Sequence, residues 1–274
     1  MKISRLIPLL LLPLVTAVSC HDNHKTPATK TASGIKEEDI SYSVDGVNMI
    51  GFAAWDSGST DKRPVVLVVH EWWGLNDYAK MRARELAKLG YLAFAVDMYG
   101  NRTQAHNPDS AGKLATPFYM NPQMGKARFD AAMEKAKSLS QADTEKVAAI
   151  GYCFGGAQVL NFAKLGDNLK GVVSFHGNLT VVPANRDLLK SEILVCHGAA
   201  DPFVPQSEVD QFKKQMDSIG AKYTFKAYEG AVHAFTNPNA TAMGEKFGIP
   251  IKYNAAADSA SWKDMKEFFG RILK

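Results

Sequence analysis

Among its 274 residues the chain has only three cysteines, Cys20, Cys153 and Cys196. That is too few for a small disulfide-stapled scaffold. Cys153 and Cys196 each sit beside an apolar run, so both read as free thiols, one reactive and one packed. Dense runs of lysine or arginine are also missing, and the formal net charge is only +4. No nucleic-acid footprint is expected from so dispersed a charge. There is no internal repeat and no low-complexity block. Several motifs fail on spacing. His70-Glu71 does not begin a zinc-protease H-E-x-x-H, because the fifth position is Gly74. Gly151, Gly155 and Gly156 do not make G-x-G-x-x-G, because Cys153 stands at the second glycine position. No G-x-x-x-x-G-K-[ST] loop occurs. Zinc-peptidase, dinucleotide and P-loop chemistry therefore have no carrier, and neither a metal nor a cofactor is expected.

What remains is ordinary globular composition, 46% hydrophobic and 22% charged, long enough to bury a sizeable core. The start of the chain is a separate object. Lys2 and Arg5 precede an apolar stretch, Leu6 to Val18, which is too short to be read as a membrane span. Ala17-Val18-Ser19-Cys20 resembles a bacterial lipobox. The expected layout is a signal peptide over 1–19, a lipidated Cys20 with a flexible polar tether over 20–36, and a folded domain over 37–274. Export, with a membrane anchor through Cys20, follows from that layout.

Inside the domain, Asp45-Gly46 lies between Ile40–Val44 and Val47–Ala53, a tight-hairpin signal. Apolar runs then alternate with helix-like segments. The runs are VVLVVH (65–70), YLAFAVDMYG (91–100), KVAAIGYC (146–153), GVVSFHG (171–177), EILVCHG (192–198) and YTFKAYEG (223–230). Helices are expected over 76–90, 123–140, 155–165, 206–219 and 257–273. Runs this continuous in apolar residues suit strands buried on both faces. Their alternation with helices predicts an α/β fold: a mostly parallel twisted sheet with helices on both faces. Residues 101–123 read as a long irregular surface loop or partial cap. Ligands of such sheets lie beyond the carboxyl ends of the strands, so the residues following each run carry the functional expectation.

Gly151-Tyr152-Cys153-Phe154-Gly155 has the spacing of the hydrolase elbow G-x-S-x-G, with sulfur in place of oxygen. Its small residues suit a strained strand-to-helix turn, and a nucleophile there sits at a helix N-terminus that favours negative charge. Asp201 follows one later strand and His233 the next. The order nucleophile, acid, histidine is that of the α/β-hydrolase triad. Cys153, His233 and Asp201 are the candidate catalytic residues. Cys196, inside its apolar run, is expected to be packed.

These residues, with VVHEWWGLN (68–76), VDMYG (96–100), HGAADPFVP (197–205) and YEGAVHAF (228–235), resemble the dienelactone hydrolase family of α/β-hydrolases over about Ser41 to Leu273. The resemblance implies the α/β-hydrolase fold and ester or lactone hydrolysis through Cys153. It also implies that Glu71 contacts the resting thiol and keeps it neutral until substrate binds, since a nearby carboxylate disfavours a thiolate. The oxyanion-hole N–H groups fall on Trp72 and Phe154. Family members hold a substrate carboxylate with two arginines. Arg102 roughly matches the first, but Asn237 stands at the second. Half the clamp is missing, and Trp72, Trp73, Tyr99, Tyr119 and Phe235 are expected to line a more apolar pocket. The expected protein is a monomeric esterase or lactonase acting on a small molecule. A weakly catalytic or non-catalytic ligand-binding module and a redox thiol at Cys153 stay open as alternatives.

Overall fold

The structure, a computed structural model, describes residues 34–274. The expected signal peptide, Cys20 and most of the expected tether lie outside the described residues. Strand β1 (Ile35–Val44) begins two residues before the expected domain start. It pairs antiparallel with β2 (Val47–Asp56) around Asp45 and Gly46, whose φ angles of 49° and 77° are those a tight hairpin turn demands. Then follow β3 (Arg63–Val69), α1 (Asp77–Lys88), β4 (Leu92–Val96), α2 (Pro108–Met120), α3 (Pro122–Lys137), β5 (Ala142–Tyr152) and α4 (Phe154–Lys164). The chain ends with β6 (Gly171–Phe175), β7 (Glu192–Gly198), α5 (Gln206–Ile219), β8 (Tyr223–Tyr228), α6 (Ala240–Phe247) and α7 (Ala255–Ile272).

The eight strands form one sheet in the order β1-β2-β4-β3-β5-β6-β7-β8. From β4 to β8 all neighbours are parallel, and β2 joins β4 antiparallel. Period-two alternation divides the core. Val65, Leu67, Val69, Phe94 and Ala149 face α2, α3, α4 and α5, while Val66, Val68, Ala95, Ala148 and Ile150 face α1 and α7. Strands sandwiched this way must be apolar on both faces, which is why their sequences are continuous runs. Burying a side chain such as Phe94 contributes roughly 1.5–3 kcal/mol.

Two helices depart from the sequence expectation. Residues 101–123 are not irregular throughout, because α2 occupies most of them. Asn107 and Ser110 form a reciprocal capping box, and Pro108 takes the first helical position, where its missing N–H costs nothing. Ala111, Ala115 and Phe118 form its buried stripe. Gly112 and Pro117 disguise this helix in sequence. α6 was not expected either. It is short, with Ala240 and Gly244 buried, Met243 packed beside them and Phe247 stacked on Trp73.

Register sets the site. Val69 is level with Gly151, and Tyr152, Phe175 and Cys196 form one row across the sheet. The residues that follow, His70, Cys153, His176 and His197, therefore emerge together at the carboxyl edge.

Candidate active site

Cys153 joins β5 to α4 with φ 54° and ψ −115°, outside the regions a side-chain-bearing residue ordinarily adopts. Holding it there costs on the order of 1–3 kcal/mol, which the surroundings must offset. Three glycines permit the geometry. A Cβ on Gly151 would overlap the Gly155 carbonyl, and one on Gly155 would overlap the Val69 carbonyl of β3. On Gly156 it would come within 2.8 Å of Ser174 Oγ. Helix α4 can thus start hard against the sheet and push the half-buried sulfur out at its edge. The helix has no side-chain N-cap, and the Phe154 N–H donates to no atom among the described residues.

His233 lies in the turn after β8. Its Nδ1–H donates to Asp201 Oδ2 at 2.8 Å, and Asp201 Oδ1 accepts the Phe203 N–H at 2.9 Å. The bond at Nδ1 leaves Nε2 for the sulfur. Burial alone would lower the His233 pKa. The charge on Cys153 and hydrogen bonds with Asp201 and Cys153 outweigh it and raise the value from 6.5 to about 10. Facing an ionised Cys153, His233 is thus held in its cationic form. The turn is clamped from outside: Lys252 N–H donates to His233 O at 3.2 Å, and the buried Arg82 donates to Thr236 O at 2.6 Å.

His176, at the end of β6, was absent from the sequence candidates. Its Nδ1 accepts the Cys153 N–H at 3.1 Å and its Nε2 meets Thr236 Oγ1 at 2.7 Å. Because a backbone N–H can only donate, Nδ1 is bare and Nε2 carries the proton. Burial, the first cause, and the neighbouring His233 and Arg82 push its pKa well below 6.5, consistent with a neutral ring. His176 ties the Cys153 turn to the His233 turn, and Tyr78 of α1 continues the chain through Thr236 Oγ1 at 2.6 Å. The sequence signal was there, in F-H-G at a strand end, matching V-H-E and C-H-G.

Glu71 is buried and its Oε2 accepts from Asn237 Nδ2 at 2.7 Å. Burial raises its pKa from 4.5 to about 7, against the lowering effects of the Asn237 bond and His233. It faces the same cavity as Cys153, yet no hydrogen bond joins the two among the described residues. Among the described residues the hydrogen bond of Glu71 is thus with Asn237, whose amide takes Oε2, and not with the thiol. Asn237, noticed in the sequence only as a missing arginine, is the partner of Glu71.

The cavity encloses about 150 Å³ and is lined by Glu71, Trp72, Trp73, Tyr119, Cys153, Asn178, Phe203, His233, Ala234, Ile249 and Ile251. Trp73 and Tyr119 stand where expected, whereas Ile249 and Ile251, beyond α6, carried no sequence signal. Three expected substrate contacts need correction. Arg102 does not reach the cavity. Its Nη1 donates to Asp39 Oδ2 at 2.5 Å and its Nη2 to the other Asp39 oxygen and to Gly51 O, so β1 and β2 hold it. The buried Tyr99 packs against Phe118 and Phe154 and spends its hydroxyl on Trp72 O. Phe235 is fully buried between His176 and Tyr228. Cys196 is buried as expected, and burial pushes its thiol up to about 12. A larger surface depression of about 450 Å³ lies at the opposite edge of the sheet, with Glu134, Lys137 and Lys170 on its walls. It has none of this machinery.

A strained turn at a helix start, a histidine bonded to an acid, and a cavity at the carboxyl edge of a parallel sheet define an α/β-hydrolase. The chain belongs to the dienelactone hydrolase family, whose sequence model matches residues 50–273. It is similar to a protein of Aquifex aeolicus (strain VF5) with the provisional name carboxymethylenebutenolidase, 32% identical over 86% of this chain and 98% of that one. Among solved structures it resembles a dienelactone hydrolase-like promiscuous phosphotriesterase from metagenomic libraries. That match has a TM-score of 0.82 and 34% identity, over 88% of this chain and 99% of the other. Another similar structure, named m3DLH, has a TM-score of 0.82 and 30% identity over the same shares. Membership makes the protein a hydrolase acting on ester bonds.

Proposed function

We propose that the protein hydrolyses a small, uncharged ester or lactone through an acyl-thioester on Cys153. The observation that carries this reading is the Asp201–His233 hydrogen bond of 2.8 Å, with Cys153 on its strained turn in the same cavity. The sulfur attacks the carbonyl carbon and a C–S bond forms. The carbonyl oxygen becomes an oxyanion between the Trp72 and Phe154 N–H groups, donors of a kind worth ~2.7–4 kcal/mol each. As the C–O bond breaks, His233 gives its proton to the leaving alkoxide. Water then attacks the thioester, His233 takes a proton from it, and the acid leaves with the thiolate restored. Asp201 keeps Nδ1 protonated so that Nε2 performs both transfers. An uncharged substrate is favoured because the lining includes no lysine or arginine and one carboxyl group, that of Glu71.

The test is turnover of p-nitrophenyl acetate and a panel of small lactones by wild type and Cys153→Ala. A phosphotriester belongs in the panel because one similar protein bears that activity in its name. The variant should lose at least about 10³-fold in kcat, and iodoacetamide should label Cys153 in the wild type. Unchanged turnover in the variant refutes the nucleophile. No turnover on any substrate, with an unlabelled thiol, favours a ligand-binding module.

A further inference from the structure

The turn that presents the Trp72 N–H is held by side chains outside the cavity, and their hydrogen bonds fix where that N–H points. His70 ends β3 and is wholly buried. Its Nε2 meets the Met98 N–H at 3.4 Å and its Nδ1 meets Glu71 O at 2.5 Å. A backbone N–H can only donate and a carbonyl can only accept. The ring must therefore be the neutral tautomer with its proton on Nδ1, donated to Glu71 O. Burial supports the same state, lowering the pKa from 6.5 to about 4 despite the opposing hydrogen bond to Glu71 and charge of Asp97. Glu71 O also accepts the Gly74 N–H at 3.2 Å, closing a turn over residues 71–74 in which Gly74 has a φ of 93°. One peptide further on, Tyr99 donates its hydroxyl to Trp72 O at 2.9 Å. Asp97 pins the loop that carries Tyr99, accepting the N–H groups of Gly100 and Arg102 at 2.9 and 2.8 Å.

In a trans peptide the C=O and N–H point in opposite directions. A Glu71 carbonyl bonded to His70 turns the Trp72 N–H the other way, and that N–H donates to no atom among the described residues. We infer that His70 and Tyr99 are positioning residues for the oxyanion hole, gripping the peptides on either side of Trp72 so that its N–H is aimed before substrate arrives. This inference rests on the ester-hydrolase reading above. Neither side chain lines the cavity, so each acts through the backbone it bonds and through its packing against Phe154.

The test separates two reactions of one sulfur. Ester hydrolysis passes through an oxyanion, whereas alkylation by iodoacetamide forms a C–S bond and expels iodide without one. His70→Leu removes both hydrogen bonds, and should lower kcat on p-nitrophenyl acetate by 10- to 100-fold with KM little changed. His70→Gln can donate to Glu71 O and accept from Met98 N, and should recover to within about fivefold of wild type. Tyr99→Phe, which deletes one oxygen and spares the packing, should lower kcat about threefold to tenfold. In all three the rate of Cys153 alkylation should stay within about twofold of wild type. Alkylation that falls in step with hydrolysis would overturn the inference, as would a His70→Leu enzyme with wild-type kcat or a glutamine variant no better than leucine. A wild type that is alkylated yet hydrolyses no ester would instead sink the hydrolase reading, and the two failures are distinct.

Discussion

Each key side chain is defined by the group that occupies it. Asp201 takes Nδ1 of His233, a backbone N–H takes Nδ1 of His176, and Asn237 takes one oxygen of Glu71. Glu71 yields a prediction. Its folded pKa of about 7 lies above the ordinary 4.5 because burial opposes its charge. Between those values the folded chain keeps a proton that the unfolded chain has lost, so stability falls as pH rises through that window. The loss is at most on the order of 3 kcal/mol. Glu71→Gln lacks the titration. Its melting temperature should therefore gain on wild type between about pH 5 and pH 7.5, and an inflection of kcat/KM near pH 7 should vanish. Parallel melting curves across that range would mean that Glu71 ionises without cost. Cys153, Asp201 and His233 were legible in the sequence because each follows a strand, in the chain order of an α/β-hydrolase triad. The pairing of His176 with Thr236 and Arg82 was not, since the three meet only once β6, α1 and the turn after β8 are packed.

Strands announce themselves when both faces are buried, and β3 through β7 were readable as apolar runs for that reason. Helix α2 was hidden because propensity opposes it at Gly112 and Pro117, and capping and three buried side chains override that preference. α6 is only eight residues long, and its inward stripe, Ala240, Met243, Gly244 and Phe247, includes a glycine. The elbow shows how an element junction can depend on single atoms. Gly155→Ala puts a methyl into the Val69 carbonyl, where backbone meets backbone and neither can yield. It should cost about 3 kcal/mol or more, seen as a lower urea midpoint or loss of folded protein. Gly112→Ala is the control, because nothing lies within 4 Å of the added Cβ in α2. That change should raise stability by up to about 1 kcal/mol. Equal effects from the two would show that the elbow tolerates more freedom than its contacts imply.

Across the whole molecule, the formal charge of +4 does not reach the cavity. Arg102 is the informative case. By sequence position it matched a substrate-carboxylate ligand, but the first strand brings Asp39 to it, and the guanidinium is spent as a brace between β1, β2 and the loop after β4. An edge strand far from the site in sequence thus removes a cation that position alone would have assigned to the substrate. A carboxylate entering the cavity would lose its hydration and find Glu71 and no lysine or arginine, the one cationic ring there, His233, being already paired with Asp201, at a cost of several kcal/mol. A neutral aryl butyrate should therefore exceed the matching hemisuccinate by at least about tenfold in kcat/KM. Arg102→Ala should change either value less than about twofold and lower stability by no more than about 1 kcal/mol, as a part-exposed ion pair does. If the hemisuccinate were preferred, and Arg102→Ala abolished the preference, Arg102 would have to leave Asp39 for the substrate. The brace would then be a resting state of the carboxylate clamp rather than its replacement.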